Sequence, residues 1–230
     1  MTTRKLFVMG GGGFAMEPEN PLLDQHILSL SEKPSPKICF IGTATGDSDW
    51  YINKFYDAYK ELPCTPTHLS LFKPPALGVK SVIADQDIIH VGGGNTRNLL
   101  CLWKEWGLDQ ILKDAYFRGT VMTGMSAGMI CWFEEATTDS FGGLDPIKCL
   151  GVLKGSASPH FDGEPNRRPK FIEFIQSGRI SGGLALDDGV GALFTDEKLS
   201  ECVSSRKSAG AYQFETKTAV ETKIAVRYLG

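Results

Sequence analysis

Val121-Met122-Thr123-Gly124-Met125-Ser126-Ala127-Gly128-Met129 is the stretch that decides the fold class of this 230-residue chain. An apolar, partly β-branched run enters Gly-x-Ser-x-Gly, and a helix-compatible run, Met129-Ile130-Cys131-Trp132-Phe133, leaves it. Strand, tight turn and helix in that order make a nucleophile elbow, which holds a serine on a strained turn with its hydroxyl exposed. Gly124 and Gly128 lack a Cβ, so strand and helix can approach closely around the turn. The Ala127 amide falls near a helix N-terminus, where unpaired N–H groups and the dipole favour an anion. A serine that attacks a carbonyl needs this combination. The competing reading is a purely structural glycine-rich turn.

Outward from the elbow, strand and helix patterns alternate through the first 135 residues. Residues 5–9 read as a strand opening into the glycines 10–13, residues 21–31 have helical spacing, and 37–42 form a short apolar strand. An amphipathic helix is expected over 47–62, with Trp50, Ile52, Phe55 and Tyr59 among its apolar positions. Strands are expected at 68–72 and 87–91, the second ending in Gly92-Gly93-Gly94-Asn95, and helix at 96–118, broken around Gly107. Such alternation implies a parallel sheet covered by helices on both faces. Ligands in such sheets bind at the carboxyl ends of the strands, where Ser126 and the 92–95 turn both fall. Past residue 136 the pattern changes. Residues 139–155 are irregular, 167–177 look helical, and a β-rich meander follows with strands at 183–187, 191–194, 211–215 and 223–228. One domain over residues 1–230 is expected, without repeats or linkers.

Composition narrows the function. Charged residues make up 22%, and 24 basic against 27 acidic side chains leave −3, so no basic excess points to nucleic acid. The apolar run Leu6-Phe7-Val8-Met9 is too short for a signal core or a membrane span. Six dispersed cysteines, with no Cys-x-x-Cys pair, argue against disulfides or zinc and point to a reducing cytoplasm.

A serine hydroxyl needs a base, and the base needs an orienting carboxylate. Of the four histidines, His26 sits in an apolar helix pattern, His68 starts a weak strand, and the alternation around His90 suggests burial in the sheet. His160 lies in a loop of small residues, Ser156-Ala157-Ser158-Pro159-His160-Phe161-Asp162-Gly163, and is the base by elimination. The acid stays open among Asp187, Asp188, Asp162, Glu164 and Asp139; Asp188-Gly189 is equally a good type I′ hairpin turn. The glycines of the 92–95 turn can aim backbone N–H groups at an oxyanion, with Asn95 also suited to cap the next helix. The 10–13 run lacks the G-x-G-x-x-G spacing and an acidic partner, which argues against a dinucleotide site.

With these residues assembled, the chain resembles the peptidase E and cyanophycinase family of serine peptidases. The resemblance rests on Val91-Gly92-Gly93-Gly94-Asn95-Thr96, Gly124-Met125-Ser126-Ala127-Gly128, Pro159-His160-Phe161-Asp162 and Leu186-Asp187-Asp188-Gly189, in that order. His160 follows Ser126 by 34 residues and Asp188 follows His160 by 28. The chain order Ser, His, acid differs from the Ser, acid, His order of α/β-hydrolases. What the resemblance implies is a flavodoxin-like α/β fold related to class I glutamine amidotransferase domains, with amide hydrolysis through an acyl-enzyme and no metal or other cofactor. Carried over by position, Ser126 is nucleophile, His160 base and Asp188 the acid, at a place where the family commonly has glutamate. Gly94, Asn95 and Ala127 make the oxyanion region, and Met129 stands where the family usually has alanine. Arg167 and Arg168 resemble the family's arginine-bearing segment, and a guanidinium suits recognition of a substrate carboxylate.

The expected protein is therefore a cytoplasmic serine exopeptidase or dipeptidase acting on small peptides, of Asp-X type or with β-aspartyl linkages. No nucleic-acid or membrane partner is expected, and the sequence does not fix the oligomeric state. The rival from another class is a non-catalytic amino-acid sensor on the same scaffold.

Overall fold

In the computed structural model, which describes residues 2–230, fourteen strands build two sheets. The chain runs β1 (Lys5–Met9), α1 (Gly13–Met16), α2 (Leu22–Ser29), β2 (Lys37–Ile41), α3 (Asp49–Tyr59), β3 (Thr65–Leu69), α4 (Val79–Ala84) and β4 (Ile88–Val91). It continues through α5 (Thr96–Trp106), α6 (Leu108–Arg118), β5 (Val121–Met125), α7 (Ala127–Ile130), β6 (Phe133–Thr138), β7 (Asp145–Lys148) and β8 (Leu153–Ser158). It ends with α8 (Arg167–Gln176), β9 (Gly183–Leu186), β10 (Val190–Thr195), β11 (Lys198–Ser204), β12 (Ala211–Phe214), β13 (Glu221–Ile224) and β14 (Val226–Tyr228).

The larger sheet has the order β14-β11-β10-β1-β5-β4-β2-β3. Its β1, β5, β4, β2 and β3 are mutually parallel, and β10 joins β1 antiparallel. Counted from β2, the run β3-β2-β4-β5 follows the 2-1-3-4 order of a flavodoxin-like sheet, and β1 takes the next place. Alternation along β1 shows why both faces are covered. Leu6 and Val8 point into a core shared with α5, α6 and α7, whereas Phe7 and Met9 point into one shared with α1, α2 and α3. The second face is aromatic: Phe40 stacks on Phe55 with ring centroids 5.1 Å apart, and Phe14 lies edge-on to both.

The β-rich C-terminal part is present, with its strands shared between the sheets: β9, β12 and β13 belong to the second sheet, β13-β12-β9-β8-β6-β7, and β10, β11 and β14 to the larger one. In the second sheet β6, β8 and β9 are parallel, and Ala136, Leu153, Ala157, Leu184 and Leu186 bury into the same core as α5–α7. Its other face is closed by α8, where Phe171, Phe174 and Ile175 meet Phe161, Ala185 and Phe214. Residues 139–155, expected to be irregular, contain β7 and the start of β8.

Local signals decide the helix ends. The Asn95 side chain accepts from Asn98 N–H at 2.9 Å and caps α5, and Gly107, at φ 64°, ends α5 and starts α6. The helix after the elbow is shorter than expected: α7 stops at Ile130, and Phe133 opens β6 because residues 131–133 are buried between the sheets. Strand β3 begins at Thr65 rather than 68, and Trp50, expected inward, is exposed. Among the described residues no helix is long and apolar enough to cross a membrane.

Candidate active site

Strand β5 runs between β1 and β4, so its carboxyl end emerges between the 10–13 and 92–95 glycine turns. Ser126 N–H still donates to the Met9 carbonyl at 3.0 Å, as the last rung of the ladder, and the backbone then turns sharply. Ser126 has φ 54° and ψ −111°, a conformation that costs a non-glycine residue about 1–3 kcal/mol. The fold enforces it. A Cβ on Gly124 would stand 2.1 Å from the Gly128 carbonyl oxygen, and one on Gly128 would stand 2.1 Å from that of Val91.

His160 follows β8 and also has positive φ, 50°. Its loop is tied at two points: His160 N–H donates to Gly10 O at 3.3 Å and Phe161 N–H to Leu186 O at 3.1 Å. Asp188 lies where the chain crosses from β9 in the second sheet to β10 in the first, so the type I′ hairpin does not form. The Asp162 carboxylate accepts from Asp188 N–H at 2.8 Å, and Gly189 N–H donates to Gly11 O at 3.0 Å. The 10–13 run, which sequence reasoning left without a role, thus supports the site. A Cβ on Gly10 would meet Leu186 O at 2.4 Å, and one on Gly11 would meet Asp188 Oδ1 at 2.0 Å. The signal that could have found these glycines is their position at the carboxyl end of β1, on the ligand-binding edge of the sheet.

These loops bring three side chains into line. His160 Nε2 lies 2.9 Å from Ser126 Oγ, and Nδ1 lies 2.7 Å from Asp188 Oδ1. With Nδ1–H donating to the carboxylate, Nε2 is the acceptor for the serine hydroxyl. Burial is the largest influence on Asp188 and pushes its carboxyl up. The hydrogen bond and charge of His160, with Arg206 behind, outweigh it and hold the group below the usual carboxylate range. Its neighbour Asp187 faces elsewhere: Oδ2 accepts from Gly210 N–H at 2.8 Å and from the Tyr212 hydroxyl at 3.3 Å, and burial raises its carboxyl. Glu164 is engaged with Arg167 rather than His160, as is Asp139 at longer range. The other histidines stay apart from Ser126: His26 packs on Phe7, His68 bonds Tyr56, and buried His90 bonds Thr123 Oγ1 at 2.7 Å.

The N–H groups of Gly94 and Ala127 donate to no protein acceptor among the described residues. That of Asn95 does, to Ala44 O at 2.8 Å, and its side-chain oxygen is spent on the α5 cap. Asn95 is therefore a wall of the cleft and supplies no free backbone donor to an oxyanion.

The cleft holds about 350 Å³ and is lined by Ser126, His160, Gly94, Asn95, Ser140, Asp139, Glu164 and Arg167. The two arginines differ. Arg167 is buried, with Nε bonded to Glu164 at 2.6 Å and an Nη donating to Thr137 O at 3.3 Å, and it faces the cleft. Arg168 lies outside it, over the rings of Phe161 and Tyr212 at 4.4 and 4.6 Å and paired with Glu221. The anionic partners that two cations at a helix start call for come from the chain itself. A larger cavity of about 680 Å³, between residues 43–46 and the outer face of α5, contains none of the three aligned side chains. Among the described residues no group of three or more metal-ligating side chains gathers.

Serine, imidazole and carboxylate in hydrogen-bond sequence, beside two unpaired N–H groups, can activate a hydroxyl and stabilise an oxyanion. Comparison with known proteins sets the chain among peptidases. The chain is 51% identical over 229 residues to Uncharacterized peptidase YgaJ of Bacillus subtilis (strain 168), covering 99% of this chain and all of that one. It is 26% identical over 190 residues to Peptidase E of Shewanella oneidensis, covering 72% of this chain and 79% of that protein. The fold matches the crystal structure of a peptidase from an acI-B1 Actinobacterium with a TM-score of 0.74 at 15% identity, over 97% of this chain and 94% of the other. The model of peptidase family S51 matches residues 6–202, and the chain belongs to that family of peptide-bond hydrolases.

Proposed function

We propose that the protein is a serine-type exopeptidase that cleaves small peptides, dipeptides above all, through Ser126, His160 and Asp188. The observation that carries this reading is the continuous chain from Ser126 Oγ to His160 Nε2 at 2.9 Å and from Nδ1 to Asp188 Oδ1 at 2.7 Å. His160 takes the proton as Ser126 Oγ attacks the scissile carbonyl, and Asp188 holds the tautomer and stabilises the imidazolium. The Gly94 and Ala127 N–H groups receive the oxyanion. His160 returns its proton to the leaving amine, and water attacks the acyl-enzyme in the mirror of the first step.

The small cleft and its mixed charges support a short substrate with a free N-terminus. The Asp139 and Glu164 carboxylates suit an α-ammonium group, and Arg167 retains donors for a side-chain carboxylate. An N-terminal aspartate carries both groups, in line with the Asp-X substrates that the family resemblance implies. Arg168 lies too far round the molecule to share this role in our reading. Six free cysteines suit a reducing compartment, and the cytoplasm is the location we propose.

The test is a dipeptide panel with Asp, Asn, β-linked Asp or Gly first, assayed with wild type and Ser126→Ala. We expect turnover by wild type, fastest with Asp first, and a loss of at least about 10³-fold in the variant at unchanged Tm. Unaltered hydrolysis by Ser126→Ala, or a fluorophosphonate attached elsewhere, rejects the assignment.

A further inference from the structure

The backbone that carries Asp188 is fastened residue by residue, and one fastening differs from the rest. Asp187 N–H donates to Gly210 O at 3.0 Å, Gly189 N–H to Gly11 O at 3.0 Å and Val190 N–H to Asp187 O at 3.2 Å. All three acceptors are backbone carbonyls. The Asp188 N–H instead donates to a side chain, Asp162 Oδ1, at 2.8 Å. That is the one hydrogen bond of the Asp162 side chain among the described residues. A carboxylate that accepts from a backbone N–H makes a charge-assisted bond, stronger than a neutral one.

The Asp188 side chain is confined by other means. A Cβ on Gly11 would stand 2.0 Å from its Oδ1, and one on Gly163 would stand 2.7 Å from its Oδ2. The carboxylate therefore lies between two residues that have no side chain, with His160 Nδ1 at 2.7 Å. The freedom left to the acid is that of its backbone, through the peptide between residues 187 and 188. His160, Asp162 and Gly163 share one turn, closed by Glu164 N–H donating to His160 O at 3.1 Å. Phe161 anchors that turn, buried edge-on to Phe171 and Phe214.

We propose that Asp162 is a positioning residue for the Ser126–His160–Asp188 triad: through the Asp188 N–H it fixes the peptide before the acid and so keeps the acid's carboxylate on His160 Nδ1. The turn that carries the base thereby also holds the acid, and a shift of the turn moves both together. Asp162 does not line the cleft, so it acts through Asp188 and not on substrate. A carboxylate that merely satisfied a stray donor would lower stability when removed and leave the rate alone.

For its rate readout the inference rests on the proposed hydrolysis, so the experiment adds one that does not. Asp162→Ala removes the acceptor, and Asp162→Asn keeps an oxygen there without the charge. Both are compared with wild type in kcat, KM, Tm and the far-downfield proton resonance of His160 Nδ1–H. Asp162→Ala should lower kcat about tenfold, part of the 10²-fold loss that a displacement of about 1 Å can bring. KM should stay within about twofold, because no interaction with bound substrate is removed. Its Tm should fall by no more than a few degrees, as one hydrogen bond of an exposed side chain allows. The Nδ1–H resonance should move or broaden away in Asp162→Ala, and Asp162→Asn should restore it and recover most of kcat. An unchanged kcat or an unmoved resonance in Asp162→Ala, a wild type without that resonance, Asp162→Asn as slow as Asp162→Ala, or a collapse of Tm that accounts for the lost rate overturns the inference. A protein that cleaves no peptide, yet loses the resonance in Asp162→Ala and keeps it in Asp162→Asn, overturns the functional reading and leaves this positioning standing.

Discussion

The two sides of the candidate site are built in opposite ways. Ser126 is placed by its immediate neighbours: Gly124, Gly128 and the adjoining end of β4, all packed backbone to backbone within the parallel sheet. Asp188 is placed by the crossover from the second sheet to the first and His160 by the loop between β8 and α8, and both are locked to the 10–13 glycine run, far away in sequence. A local motif can therefore announce the nucleophile, whereas its base and acid arise only from the assembled fold. The difference also predicts that the two sides fail differently.

Gly128→Ala should have the largest effect. Its Cβ would press on the Val91 carbonyl at 2.1 Å, where both partners are backbone and neither can rotate away. We expect destabilisation of about 3 kcal/mol or more, at the upper end of overpacking, and a Tm lower by roughly 10 °C, with activity lost along with the fold. Gly11→Ala is the counterpart on the other side. Its Cβ would stand 2.0 Å from Asp188 Oδ1, the tip of a side chain that can swing, so the fold yields less than the site. Displacing the acid by about 1 Å should lower kcat/KM about 10²-fold with a Tm change of only a few degrees. Paired thermal melts and kinetics separate the cases. Should Gly128→Ala keep its Tm, or Gly11→Ala lose stability and activity together, the contrast drawn between local and assembled construction is wrong.

The same contrast explains what is legible in the sequence. Strands β1, β2, β4 and β5 are apolar runs bounded by glycine or proline, and their places are evident because a buried parallel strand needs no partner-specific signal. Helix α5 carries its own cap in Asn95 and its own stop in Gly107. Strands β6, β7 and β8 are not legible: they mix Thr, Glu, Ser and Lys with few large apolar side chains, and only the core between the sheets makes them strands. At the site, the residue types are readable but their facing directions are not. Nothing in Asp187-Asp188 tells which carboxylate turns to His160; that depends on Gly210 and Tyr212 capturing Asp187. Likewise Arg167 and Arg168 are adjacent in sequence, yet a helix sends one to the cleft and the other onto two aromatic rings. Met129, where alanine was expected, is fully buried beneath the elbow and leaves Ser126 in reach of His160.

The smallest effect concerns the aromatic layer under the nucleophile side, which buries two titratable groups of opposite sign. Asp24, bonded by the Tyr59 hydroxyl at 2.9 Å, is pushed up to about 6 by burial. His90, beside Phe14 and Phe40, is pushed down to about 3 by burial. Asp24 binds its proton more tightly folded than unfolded, so its contribution is present below about pH 4 and is lost as pH rises to 6. His90 binds its proton less tightly folded, so its contribution is present above about 6.5 and is lost as pH falls towards 3. Each is worth a few kcal/mol, at about 1.4 kcal/mol for every pH unit that separates folded from unfolded titration, and over the shared window they oppose one another. Wild-type stability in urea should thus vary little between pH 4.5 and 6. Asp24→Asn exposes the His90 slope, with stability rising with pH, and His90→Gln exposes the Asp24 slope, with stability falling. Ser126 and its partners have no part in either slope, so the site can be inactivated by Ser126→Ala without changing them. If the two single variants slope the same way, burial is not what sets these groups, and the rigid, dry layer assumed beneath the elbow is not there.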